Sequence, residues 1–167
     1  MKTLGSHPGA ILFRMSVMVI LIVILIVAFL SYVRDAEKAI ERSSIQQTRR
    51  IIDSSLVVVF SQYAITGRMD RLNELDGANP FSFLADLEIQ FLGYQGELDF
   101  DLTSDLESGW YYLKHRKLVG YRAHYMGTDA YYQVQLFYED RNQSGSFDYG
   151  IDRFGHFGFV PVLEFAD

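Results

Sequence analysis

Residues Met15–Val33 read MSVMVILIVILIVAFLSYV, nineteen consecutive positions without a charge, and every Asp and Glu of the 167-residue chain lies beyond them. At about 1.5 Å of rise per residue the stretch reaches roughly 28 Å as a helix, close to the hydrocarbon thickness of a bilayer. It reads as the one membrane helix of a bitopic chain. A secretory signal peptide is the competing reading, but the run is longer than an h-region and no small residues at A-x-A spacing follow it. The expected organisation is a short tail over 1–14, a transmembrane helix over 15–33 and one domain over 34–167.

Removing the first 33 residues leaves 134, enough for one small domain with its own core and too few for two. Two of the 15 Lys and Arg, Lys2 and Arg14, precede that domain, so it holds 13 cations against 21 carboxylates, an excess of eight negative charges. Such a balance argues against a nucleic-acid surface, which works by neutralising phosphates. The absence of cysteine removes disulfides, Cys-ligated zinc, thiol catalysis and a cysteine-linked lipid anchor, and leaves the redox compartment open.

Working outward, Arg34 to Thr66 contains no proline or glycine. Within it Val33, Ala36, Ile40, Ser44, Ile51, Ser55, Val59 and Tyr63 recur mostly three or four apart, which is helical spacing. With no breaker between this segment and the apolar run, one continuous helix is expected from about Ile11 to Thr66, roughly 80 Å long, ending where Gly67 takes a left-handed conformation. Leu56 to Phe60 is apolar on every side, as in a helix packed into a domain. The predicted core joins Leu56, Val59, Phe60 and Tyr63 to Trp110.

A coil-rich middle is expected over 67–108, with Gly77, Asn79 and Pro80 as a turn and Pro80 opening a short helix through Phe81, Leu84 and Leu87. From Gly109 the pattern changes. GWYYLK, KLVGYRAHY and AYYQVQLFYED are aromatic and β-branched, with breaks at His115-Arg116 and Gly127-Thr128-Asp129 short enough for hairpins. FGFVPVLEF supplies a fourth strand, in which Pro161 suits an edge. The predicted fold is α+β: a long N-terminal helix, membrane-spanning in its first half, packed on a small C-terminal antiparallel sheet over 109–167.

This layout, together with Asn79-Pro80-Phe81 near Leu84, Phe91-Leu92-Gly93-Tyr94, Gly109-Trp110-Tyr111-Tyr112 and Leu118-Val119-Gly120-Tyr121-Arg122, resembles minor type IV pilin-like proteins. The best match is the MshF-like group of mannose-sensitive haemagglutinin (MSHA) pilus biogenesis proteins. The resemblance implies a single-pass inner-membrane protein with a periplasmic C-terminal domain. Its implied partners are pilus subunits and other minor pilin-like or assembly-platform proteins, and no cofactor is implied. Pilins are cut after a glycine and carry a glutamate as the fifth residue of the mature chain. If Gly9 and Ala10 flank such a cut, the fifth residue is Arg14, and a cation there repels the neighbouring terminal amine that the glutamate would neutralise. Pro8 and Gly9 then simply mark the entrance to the helix, and the chain is expected to keep its amino-terminal segment. The charge count points the other way on orientation. Arg34, Lys38, Arg42, Arg49 and Arg50 outnumber Lys2 and Arg14, which by the positive-inside rule places the domain in the cytoplasm. Long translocated domains escape this bias, and these arginines can pair with Asp35, Glu37, Glu41 and Asp53.

One ion site suggests itself. Asp140, Asn142, Ser144, Gly145 and Asp148 occupy the first, third, fifth, sixth and ninth places of an EF-hand-like calcium loop. Ile151 stands at the twelfth place, where a bidentate Glu is wanted, and a polar hairpin loop uses the same residue types. The four histidines, His7, His115, His124 and His156, show no metalloprotease spacing, and neither a nucleophile elbow nor a phosphate-binding glycine loop is present, so no enzyme is expected. His124 and His156 are the pair that the sheet can bring together. Two function classes remain: an anchored pilin-like component acting through protein contacts, and a membrane-tethered extracytoplasmic ligand-binding or sensor domain using exposed aromatics.

Overall fold

A computed structural model describes residues 8–87 and 93–162, and the chain divides into two compact units, Met1–Ile40 and Glu41–Asp167. All described residues of the first unit belong to helix α1 (Pro8–Ile65), and the side chains from Leu12 to Tyr32 are exposed. The tail expected over 1–14 is thus helical from Pro8, and residues 1–7 lie outside the described residues.

In the second unit α1 runs to a closed end at Gly67. Arg68 N–H donates to Tyr63 O at 2.9 Å and Gly67 N–H to Ala64 O at 3.3 Å, with Gly67 at φ 69°, so the last turn has its carbonyls satisfied by the left-handed cap the sequence predicts. The buried face of this half carries Glu41, Ile45, Thr48, Ile52, Ser55, Leu56 and Val59. Ser55 and Val59 are buried as expected, but up to Ile52 the stripe is displaced by one residue, since Ile40 and Ser44 are exposed and Ile51 is only half-buried while Glu41, Ile45 and Ile52 are buried. Apolar spacing misplaced the first part because two of the buried positions there, Glu41 and Thr48, are polar. Thr48 and Ser55 return their hydroxyls to Ser44 O and Ile52 O within the helix, which makes small polar residues tolerable against the sheet.

A 3-10 helix, Met69–Leu75, follows and buries Leu72 and Leu75. Helix α2 (Pro80–Asp86) opens at Pro80, with Asn79 Oδ1 accepting from Phe81 N–H at 3.0 Å. The Asn79 amide also donates to Tyr94 Oη and Glu97 Oε1, both at 2.9 Å, and so ties this turn to the first strand.

Five strands form one sheet in sequence order: β1 (Tyr94–Leu98), β2 (Gly109–Leu113), β3 (Leu118–Arg122), β4 (Ala130–Glu139) and β5 (Arg153–Pro161). Strands β2 to β5 are antiparallel, as expected. The expected fourth strand starts earlier, at Arg153, and lies at a sheet edge with Pro161 opposite Tyr132; Leu163, Glu164 and Phe165 lie outside the described residues. Within the stretch expected to be coil, β1 joins β2 in parallel, and residues 99–108 between them cover the outer face of the sheet. Gly120 permits this. A Cβ there would stand 2.9 Å from Leu102 Cδ1, so the leucine side chain lies in the space that the missing Cβ leaves and would have to shift for any other residue. Beyond the short β3, the free edge of β4 is completed by the turn before α2, where Gly77 N–H donates to Val134 O and Leu136 N–H to Asp76 Oδ1.

The core has separate centres. Ile45, Ile52 and Leu56 meet Phe81, Leu84, Trp110, Val119, Val134 and Phe159, whereas Val59 belongs with Leu72, Leu75, Leu136 and Phe147, flanked by half-buried Phe60 and Tyr63. Leu56 therefore shares a core with Trp110, but Val59, Phe60 and Tyr63 do not. The 3-10 helix fills the far end of the sheet and creates the second centre. Trp110 is the hub of the first, with ring centroids of Tyr121, Tyr132, Phe81 and Phe159 at 4.9 to 6.3 Å.

Candidate functional site

Three features carry functional interest: the apolar half of α1, the connection between β4 and β5, and the environment of Glu41. Among the described residues α1 is the helix long and apolar enough to cross a membrane. Its two serines in the apolar stretch leave no open hydroxyl demand, since Ser16 Oγ donates to Phe13 O at 2.8 Å and Ser31 Oγ to Ala28 O at 2.9 Å. Gly9 and Ala10 fall in the first turn of α1, which begins at Pro8.

The outer face of α1 in the second unit remains open. Arg42, Ser43, Gln46, Gln47, Arg50 and Ser54 are exposed, and so are Val57 and Val58, at 64% and 45%. The run Leu56–Phe60 is thus buried on one side only, because the sheet takes Leu56 and Val59 and nothing among the described residues covers the two valines between them. A shallow groove of about 340 Å³ lies along this face, lined among others by Arg50, Ile51, Ser54, Val58 and Leu87.

The connection 140–152 closes the β4–β5 hairpin, and its polar atoms serve its own backbone. Asp140 Oδ1 accepts from Ser144 N–H and Oδ2 from Gly145 N–H, at 3.2 and 2.9 Å. Asp152 accepts from Arg141 N–H and Asp148 N–H, at 2.9 and 2.7 Å. The Asn142 amide nitrogen donates to Asp148 Oδ2 at 2.6 Å, and this bond, followed by one from Ser144, holds the Asp148 carboxyl below the usual carboxylate range. Asp140, Asn142, Ser144 and Asp148 are therefore brought together, but as a hydrogen-bonded turn. Ile151 at the twelfth place is half exposed and offers no side-chain oxygen, and no group of three carboxylates or histidines suited to a metal occurs among the described residues. Sequence reasoning missed how the loop is fixed: Phe147 is buried in the second core centre, and the Asn73 amide pairs with both its N–H and its carbonyl, at 3.1 and 2.7 Å.

Glu41 was missed as well. It is 6% exposed, and its carboxylate fills a nest of three consecutive backbone N–H groups. His124 N–H donates to Oε1 at 2.7 Å, Tyr125 and Met126 N–H to Oε2 at 2.9 and 2.8 Å, and Tyr121 Oη to Oε1 at 3.2 Å. Burial alone would raise this carboxyl, but the three backbone donors and the tyrosine together outweigh it and the net shift is downward. Tyr121 is pushed up to about 12 by burial and then by the Glu41 charge. The expected pairing of arginines with Glu41 and Asp53 is replaced by backbone capping, for Asp53 Oδ1 accepts from Phe159 N–H on the edge strand at 2.8 Å. The histidines have separate partners: His124 lies edge-on to Tyr125 at 4.5 Å, and His156 stacks on Phe137 at 4.6 Å.

Comparison of the chain with protein-family models, with curated proteins and with solved structures finds no match. What the geometry defines is a class: an α+β domain built on the distal half of a helix whose proximal half can cross a membrane.

Proposed function

We propose that the chain is an inner-membrane-anchored, pilin-like accessory or minor component of type IV (MSHA-type) pilus biogenesis, with its C-terminal domain in the periplasm and its work done by protein–protein contacts. The supporting observation is the two-sided character of α1 beyond Ile40. One face is buried under the sheet, while the other stays open and sets the exposed apolar pair Val57 and Val58 beside serines, glutamines and arginines, an apolar spot with a polar rim that a protein partner can cover. The resemblance in the motifs around Asn79, Trp110 and Gly120 supports the same reading. Two of those motifs have structural duties here, the α2 cap and the loop-covered sheet face.

Co-purification of the tagged full-length chain with pilus subunits from solubilised membranes tests the reading, and Val57→Asp paired with Val58→Asp is expected to abolish it without lowering the Tm. Alkaline phosphatase fused after Asp167 should be active and a fluorescent protein fused there dark; the reverse would overturn the periplasmic placement. Mass spectrometry of the mature protein should retain residues before Ala10, whereas an N-methylated start at Ala10 would make it a processed subunit instead.

A further inference from the structure

We propose that Asn142 is a glycan acceptor, modified on its side-chain nitrogen by a membrane oligosaccharyltransferase that draws on a prenyl-diphosphate-linked oligosaccharide. The inference rests on the reading above that the C-terminal domain lies outside the cytoplasm. Asn142-Gln143-Ser144 has the N-x-S form of an acceptor, with a residue other than proline in the middle. The position of the tripeptide in the fold carries the rest of the argument. The chain has three asparagines, Asn73, Asn79 and Asn142. Asn73 spends its amide on the backbone of Phe147, and Asn79 is buried where it caps α2. Two residues beyond them stand Leu75 and Phe81, neither of which has a hydroxyl. Asn142 has Ser144 there, and residues 141–146 are all exposed at the tip of the β4–β5 hairpin. The root of that loop is held separately, by Phe147 in the second core centre and by the Asp152 carboxylate on Arg141 and Asp148 N–H. An enzyme can therefore take hold of the tip while the sheet stays folded.

The tripeptide is already turned on itself. Asn142 Oδ1 accepts from Ser144 N–H at 3.1 Å, with Gln143 in the left-handed region at φ 58°, an Asx turn that brings the carboxamide against the residue that carries the hydroxyl. Asp140 holds the same turn from two places before Asn142, through Ser144 and Gly145 N–H. The Ser144 hydroxyl is bonded only within the tip, to Ser146 O at 2.8 Å. The contact that transfer must open is the one from Asn142 Nδ2 to Asp148 Oδ2, at 2.6 Å, and at this exposed position water replaces it.

In the transfer, the Asn142 side-chain nitrogen forms a bond to the anomeric carbon of the first sugar. The bond from that carbon to the diphosphate oxygen breaks, and the prenyl diphosphate leaves with its electron pair. One amide proton passes to a base of the transferase, the second stays on the nitrogen, and nothing is oxidised or reduced.

The test produces the full-length chain in bacterial cells that carry an oligosaccharyltransferase and its lipid-linked oligosaccharide, and in which a control acceptor protein is modified. The phosphatase fusion after Asp167 reports in the same cells on which side the domain lies. Intact mass should rise by one oligosaccharide, and peptide mass spectrometry should find the addition at Asn142. The added mass should be lost in Asn142→Gln and in Ser144→Ala and kept in Ser144→Thr; all three change exposed side chains and should leave the Tm in mild detergent at the wild-type value. If the phosphatase is active and the wild-type chain gains no mass, the acceptor inference is wrong and the periplasmic placement stands. A mass increase that persists in Asn142→Gln also overturns it. If the phosphatase is inactive, the placement falls and this inference with it.

Discussion

Replacing Glu41 with glutamine removes one acceptor and the charge while keeping the shape. In wild type each carboxylate oxygen accepts two hydrogen bonds, so the amide nitrogen of Glu41→Gln must face either Tyr125 and Met126 N–H or His124 N–H and Tyr121 Oη. Two donors then oppose a third, and at about 1–3 kcal/mol for each buried donor left unmade, less what Tyr121 recovers by rotating its hydroxyl, the loss is about 3 kcal/mol. For a unit of this size that corresponds to a fall in Tm of roughly 10 °C. The folded-state carboxyl lies below its unfolded value of 4.5, so its contribution is present in full above that value and is lost as pH falls through the folded pKa. The gap between wild type and Glu41→Gln should accordingly be constant from pH 7 to about 5 and narrow on further acidification. The assay is thermal unfolding of the full-length protein in mild detergent, followed by Trp110 emission at a series of pH values. A variant within about 0.5 kcal/mol of wild type at pH 7 would refute the idea that this nest needs an anion.

Val59→Asp places a carboxylate among the apolar side chains of Leu72, Leu75, Leu136 and Phe147, and is expected to cost several kcal/mol, enough to abolish the unfolding transition in circular dichroism. Asp140→Ala removes two caps from an exposed turn and should cost only about 1 kcal/mol, and millimolar calcium should leave the Tm of wild type and variant unchanged; a calcium-dependent rise lost in Asp140→Ala would establish an ion site. Asn73→Ala frees both backbone groups of Phe147, and a Tm decrease larger than that of Asp140→Ala is expected in the same measurement.

Much of this fold is written locally. The charge-free run, Gly67 after the last helical turn, and Asn79-Pro80 before Phe81 each specify a helix boundary through chemistry within four residues. Strands β2 to β4 are continuous aromatic and β-branched segments joined by short turns. Strand β1 was illegible for the opposite reason. Tyr94-Gln95-Gly96-Glu97-Leu98 has no β-branched residue and one aromatic, with Gly93 before it and Gly96 inside it, and its partner lies in parallel across a ten-residue crossing. Leu98, Leu102 and Leu106 looked like coil because the surface they cover, around Tyr111 and Leu118, exists only once the sheet has formed. Glu41 could not be read at all, for its partners are backbone groups 83 to 85 residues away and every residue type has those.

That separation sets the order in which the molecule can assemble. The bonds from Glu41 to Tyr121 on β3 and to the β3–β4 connection, and from Asp53 to Phe159, span 80 to 106 residues, whereas the hairpins β2–β3, β3–β4 and β4–β5 close locally. Loop closure favours the hairpins first and docking on α1 last. The helix is synthesised first, however, and at 5–20 residues per second about 100 residues and some 5–20 s separate Leu56 from Phe159. During that interval Ile45, Ile52, Leu56 and Val59 form a bare apolar stripe with no sheet to meet. The period of greatest exposure to proteases and to wrong partners therefore falls during biogenesis, and a chaperone that shields this stripe until β5 emerges protects the yield of folded protein without altering the final stability.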